Sequence, residues 1–220
     1  LLTMARARSE ARGENWRVVV NSTARKIPPW TLYVLGAAWG GWLFFLGLTG
    51  RLGVEPVETL EHLYGELALQ LLIAGLAITP LCQWVRINLM AFRRAVGLLA
   101  FFFALAHVLV WAFLDVQALA AIWADIMERP YVTVGFGAFL LLIPLAVTSN
   151  NWSIRKMGAM AWRRLHKAVY PAAILAAIHY VWLARGFQIE PLFYLTLIVS
   201  LLLLRKYGGR ASRKGKACPN

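Results

Sequence analysis

Charge is scarce in this 220-residue chain: 15% of its residues are Asp, Glu, Lys or Arg, against 60% hydrophobic, and the mean hydropathy is +0.61. That balance excludes an ordinary water-soluble domain and makes a bilayer the natural solvent. Acidic residues are scarcer still, ten against 23 Lys and Arg, for a net charge of +13. A basic excess of this size suits nucleic acid when spread over one surface, but here it gathers in short segments between apolar runs, where membrane topology is set, so no nucleic-acid partner is expected. There are two cysteines, Cys82 and Cys218, with neither a CxxC nor a zinc-ligand spacing, so no disulfide framework and no cysteine-ligated metal centre follows. Internal repeats, low-complexity tracts and loops long enough for a second domain are also missing, leaving one domain.

What the chain does have is apolar runs of crossing length. They cover about 30–48, 67–85, 95–114, 131–147, 165–184 and 191–204. Hydrocarbon about 30 Å thick needs roughly 20 apolar residues per helical crossing, and backbone amides in lipid must be paired within the segment. The expected fold is therefore all-α, a polytopic membrane bundle of six transmembrane helices. Pro28-Pro29, Pro80, Pro130 and Pro191 punctuate the ends of the runs. The first run is longer than a signal peptide and lacks a small-residue cleavage pattern, which marks it as a retained span. Residues 1–29 then form a basic N-terminal segment, 30–206 the six-span domain and 207–220 a basic tail.

Direction follows from the charges. Twenty of the 23 basic residues fall in the N-terminal segment, the loops after spans two and four, and the tail; Arg51, Arg129 and Arg185 alone lie opposite, together with eight of the ten acids. The positive-inside rule puts both termini in the cytoplasm and, in a bacterial inner membrane, turns the acidic side to the periplasm. The connection from Asp115 to Arg129 carries Leu119, Ile122, Trp123 and Ile126 at helical intervals, which suits either a short interfacial helix or an ordinary loop.

Ionisable residues inside spans are costly and default to facing the bundle interior with a task. His107 in span three and His179 in span five both run outward from basic loops; at 1.5 Å per residue they lie roughly 20 and 22 Å from the inner boundary. Two neutral imidazoles at matched depth on parallel helices are what a bis-histidine haem requires. Each would serve equally as a helix-to-helix hydrogen bonder, and composition leaves both readings open. His166 lies about 20 Å below His179 and, on an ideal helix, about 140° around from it, with Pro171 between them as a source of a kink. It suits a second haem iron or an inner cofactor. His62 sits just before span two, near the outer surface.

Other features have structural readings. Trp30, Trp84, Trp152 and Trp182 fall near span ends, as in an aromatic belt. Gly36, Gly40, Gly47, Gly75 and Gly97 permit close helix contact or room for a flat ligand, with packing the simpler reading. Arg93 and Arg94 suit a flavin or lipid phosphate, although topology alone explains a basic loop there.

Particular motifs carry a family resemblance. The stretch GELALQLLIAGLAITP at 65–80, Arg93-Arg94-Ala95-Val96-Gly97 leading to His107, Arg129-Pro130-Tyr131 opening span four, Thr148-Ser149, Trp162-Arg163-Arg164-Leu165-His166, Tyr170 and Ile178-His179-Tyr180 together resemble the MsrQ (YedZ) family. The resemblance covers most of 50–184; the two terminal segments resemble nothing placed. It implies a ferric reductase-like membrane subunit of a periplasmic methionine sulfoxide reductase system. In that family membrane histidines bind b-type haem, FMN is a reported cofactor, and electrons pass to a molybdopterin-containing catalytic partner, MsrP. His107, His166 and His179 match the haem-associated histidines, giving one haem or two, and His62 also matches a family position. No flavin-reductase domain follows span six, so electrons come from a cytoplasmic flavin reductase or from quinol. The implied role is an electron-transfer subunit rather than the catalytic reductase. Rival readings are a quinol-oxidising cytochrome b serving another enzyme, and a non-redox transporter or scaffold whose histidines only pack.

Overall fold

The computed structural model describes residues 16–184 and 188–212, with side chains to 207. Arg6, Arg8, Arg12, Arg185, Arg210, Arg213, Lys214, Lys216 and Cys218 thus lie outside the described side chains. Among the described residues there are helices and turns and no strand.

A short helix α1 spans 16–26. The longer elements are α2 (Trp30–Leu48), α3 (Pro56–Pro80), α4 (Arg93–Val110), α5 (Leu119–Glu128) and α6 (Pro130–Val147), followed by α7 (Asn151–Met157), α8 (Ala159–Leu165), α9 (Val169–Leu183) and α10 (Ile189–Ser212). Among the described residues four stretches are long and apolar enough to cross a membrane: Trp30–Leu48, Pro56–Val85, Met90–Val116 and Pro130–Val147. The expected fifth span, 165–184, starts on the last residue of α8 and continues through a 3-10 turn at His166–Ala168 into α9, while the sixth falls within α10.

Local sequence explains most boundaries. Pro56 and Pro130 occupy the first turns of α3 and α6, where a missing N–H costs no hydrogen bond. Asn150 caps α7, its side chain accepting from the Ser153 amide at 2.7 Å. Between α7 and α8, Gly158 has φ +80°, a left-handed conformation that an L side chain would strain. α3 and α4 each leave their α register through a π-helical turn, Leu81–Val85 and Trp111–Val116, and each turn ends on a left-handed residue, Arg86 or Gln117. Pro80 accounts for the first departure, because it cannot donate to the Leu76 carbonyl. Arg205 fills that vacancy from α10: its Nε donates to Leu76 O at 3.0 Å and its Nη2 to Thr79 Oγ1 at 2.9 Å and Gly75 O at 3.3 Å.

The core lies where small residues allow helices to close. Ala172, Ala173 and Ala177 of α9 have no exposed surface and meet Leu69, Ile73 and Leu76 of α3, Ile198 and Leu201 of α10, and Leu72, Ala100, Leu142 and Leu145 of α3, α4 and α6. α9 is thus central. α2 is peripheral: its Gly36 and Gly40 admit Leu99 and Phe103 of α4, Tyr64 of α3 donates to Gly40 O at 2.8 Å, and Trp39, Trp42 and Phe45 point away from the protein. An outward apolar face of that size is expected of a helix facing lipid rather than water. α1 is clipped to the turn after α3, with Asn21 Nδ2 donating to Arg86 O at 3.0 Å and the Asn88 amide donating to Asn21 Oδ1 at 2.8 Å.

Candidate functional site: a paired-histidine cavity

α3 begins eleven residues before the apolar run that marks its core, so Glu58, Glu61, His62 and Glu66 belong to helix rather than loop. This extension builds one wall of a cavity of about 560 Å³ between α3, α4, α6 and α9, within the 300 to 1,000 Å³ usual for small-molecule and cofactor sites. Leu69, Leu72, Phe136, Phe139 and Leu142 supply apolar lining, and His62, His107 and His179 open into it.

His107 and His179 come together here, their ring centroids 6.3 Å apart and their planes at 73°. Each is held by a backbone carbonyl of the helix packed alongside. His107 Nδ1 donates to Glu61 O at 2.8 Å, and His179 Nδ1 donates to Tyr131 O at 2.7 Å. A carbonyl only accepts, so both rings carry their proton on Nδ1 and leave Nε2 with a free lone pair, the arrangement metal-ligating imidazoles adopt. With metal–imidazole bonds of about 2 Å and roughly 1.1 Å from a ring nitrogen to its centroid, two axial imidazoles on one metal place their centroids about 6.2 Å apart. The spacing, the tautomers and the apolar walls all fit a haem held between the pair.

Two glycines that the spacing of apolar runs did not single out complete this geometry. A Cβ on Gly65 would lie 3.0 Å from His107 Nδ1, and one on Gly135 would lie 2.7 Å from His179 Nδ1. Their role depends on a contact between helices, so the sequence showed Gly65 as the first residue of the 65–80 stretch that carries the family resemblance, and Gly135 as a glycine inside an apolar run.

His166 does not join the pair and does not line the cavity. It sits in the 3-10 turn before α9, stacked on Trp162 at 3.8 Å between centroids, with Nε2 3.0 Å from Thr148 Oγ1. The Thr148 hydroxyl donates to Pro144 O at 2.6 Å, so His166 Nε2 carries a proton and donates to the hydroxyl. Its tautomer is opposite to that of the other two. Trp162 Nε1 donates to Thr148 O at 2.8 Å and closes the cluster. Pro171 lies in the first turn of α9, so the 3-10 turn, rather than a proline kink in mid-helix, separates the directions of His166 and His179.

Arg93 and Arg94 open α4, whose first turn has no acid. Arg94 Nη2 donates to Asn151 Oδ1 at 2.8 Å, and Arg93 is within electrostatic reach of His166 and Arg205. A smaller cleft of about 300 Å³, lined by Ala24, Arg25, Asn88, Met90, Ala91 and Phe92, lies between α1 and the approach to α4. Among the described residues no group of three or more His, Cys, Asp or Glu is arranged to hold a metal ion, so ligation by the histidine pair differs from a closed protein cage.

The helices that carry this histidine pair fall in residues 64–177 for the most part, and that stretch matches the family of ferric reductase like transmembrane components. Within it, the chain belongs to the MsrQ family. It is 46% identical over 174 residues to the protein-methionine-sulfoxide reductase heme-binding subunit MsrQ of Agrobacterium fabrum, covering 79% of this chain and 80% of the relative. The subunit of the same name from Brucella ovis is 46% identical over 177 residues, 80% of each chain. No solved structure matches the chain.

Proposed function

We propose that the chain is the haem-bearing electron conduit of a methionine sulfoxide reductase system, with b-type haem gripped between His107 and His179. The observation that carries this reading is the pair itself: two imidazoles 6.3 Å apart, each with Nδ1 tied to a carbonyl and Nε2 free. Names of close relatives include heme binding and the same reductase system. Haem held there supplies a one-electron relay. The protein fixes both ring orientations through backbone carbonyls, which cannot be lost to a side-chain rotamer. Leu69, Leu72, Phe136 and Phe139 supply apolar surface and Glu58, Glu61, Glu66, Asp115 and Arg129 charged groups around the same cavity, and both kinds of neighbour would tune the potential of a group bound there.

The wider system is part of the same proposal. The chain is a multi-pass protein of the bacterial inner membrane, a six-span domain over 30–206 between two basic cytoplasmic segments. Electrons enter from a cytoplasmic flavin reductase or quinol, FMN binds beside Arg93 and Arg94, and electrons leave to a periplasmic molybdopterin partner, MsrP, which repairs oxidised envelope proteins. Such repair restores an apolar side chain that oxidation has made polar. His166 stays the candidate for a second haem iron; with Nε2 donating to Thr148, its free lone pair is on Nδ1. His62, exposed at the cavity, is not assigned as a ligand.

Purified protein decides the core of this reading. A pyridine haemochrome assay with flavin quantification should find haem and FMN, with a Soret band that shifts on reduction. His107→Ala and His179→Ala should each lose haem, while His62→Ala keeps most of it. A colourless, fully folded preparation would remove the haem reading, and the reverse mutational pattern would reject this ligand pair.

A further inference from the structure

The two histidines are seated by the same device used twice, and we infer that Gly65 and Gly135 are positioning residues that set the orientation of the two imidazoles. In each half of the site one helix carries the ring and its neighbour carries a carbonyl at position i and a glycine at i+4. Glu61 O and Gly65 of α3 receive His107 of α4; Tyr131 O and Gly135 of α6 receive His179 of α9. The sequences Glu61-His62-Leu63-Tyr64-Gly65 and Tyr131-Val132-Thr133-Val134-Gly135 share little else.

The reason for glycine is geometric. Helical Cα–Cβ bonds tilt toward the N-terminus, so the side chain at i+4 overlies the carbonyl of residue i one turn back. That carbonyl already accepts the amide of residue i+4, and its second lone pair is reachable from outside only if nothing covers it. A methyl at Gly135 would stand 2.7 to 2.9 Å from Nδ1, Cε1 and Cγ of His179; at Gly65 the nearest His107 atoms are at 3.0 and 3.2 Å. In both cases the obstructed atoms belong to a ring held in place by its own hydrogen bond, so the obstruction must rotate or expel the ring. Gly137, on the same helix α6, has nothing within 4 Å of an added Cβ. A helix chosen only for close packing would not single out the ring-facing glycine in this way.

The purpose of these seats rests on the proposed haem ligation, whereas their existence is tested without it. Gly135→Ala should lose haem, or keep it with one axial position open so that carbon monoxide shifts the Soret band of the reduced protein. Gly65→Ala should do the same to a smaller extent, and Gly137→Ala should match the parent. Thermal unfolding of the detergent-purified full chain gives the second readout: Gly135→Ala should lower the midpoint by roughly 5 °C, and most of that shift should vanish in a His179→Ala background, where the ring is gone. An equal shift in both backgrounds, or a Gly135→Ala protein with parental haem content and no response to carbon monoxide, overturns the inference. A colourless parent protein refutes the haem reading instead and leaves the unfolding cycle to judge the seats.

Discussion

Arg205 offers the sharpest test of how the bundle is held. Its guanidinium donates to a carbonyl that Pro80 has deprived of its helical partner, Leu76 O, in a residue 1% exposed. Gly75 O keeps the Thr79 amide, and Thr79 and Tyr170 carry hydroxyls that can turn elsewhere, so the orphaned Leu76 carbonyl dominates the loss. A buried acceptor left without a donor costs about 1–3 kcal/mol, and removing the cation recovers part of its own desolvation, so Arg205→Met should destabilise the protein by about 2 kcal/mol. Met preserves much of the stem's packing. Pro80→Ala restores an N–H where Leu76 O needs one, so in that background the cost of Arg205→Met should fall below about 1 kcal/mol, a coupling of about 1 kcal/mol or more between residues 125 apart in sequence. Reversible unfolding in mixed detergent micelles, followed by helix content for the parent, both single variants and the double, measures it. If Arg205→Met costs the same with proline or alanine at position 80, Arg205 acts as a general anchor and the account of the orphaned carbonyl is wrong.

Tyr64→Phe should destabilise by about 0.5–1.5 kcal/mol, the usual net worth of one hydrogen bond, by releasing the Gly40 carbonyl, and should loosen α2 in hydrogen exchange before the rest of the bundle. Thr148→Val should free His166 Nε2 and cost about 1 kcal/mol in the same unfolding assay; unchanged stability would show that stacking on Trp162 alone holds the ring. Asn21→Ala removes both bonds from α1 to the turn at 86–88, and limited proteolysis should then cut within 16–26 faster while leaving α2 to α6 intact. Arg94→Gln can still donate to Asn151 but loses its charge, so FMN content falling in Arg94→Gln with haem unchanged would support a phosphate contact there.

The sequence by itself determined the class of structure. Apolar runs of crossing length demand helices, because lipid offers no partner for a bare amide, and all six expected runs fall on helical segments, the first agreeing with α2 at both ends. It also put His107 and His179 at similar distances along segments that start from basic loops, although for His179 the 3-10 turn at His166–Ala168 interrupts the helical rise on which that count relies. Tertiary structure decided which helix faces meet: that His179 looks toward His107 while His166 turns to Thr148 and Trp162, that α3 reaches back to Pro56 and carries Glu61 to the cavity, and that Gly65 and Gly135 lie under the rings. Arg205 shows the same division, a tail charge by topology and a partner for Leu76 by packing. Distance along one helix is a local property written residue by residue, whereas rotation about its axis is fixed only by the neighbours it packs against.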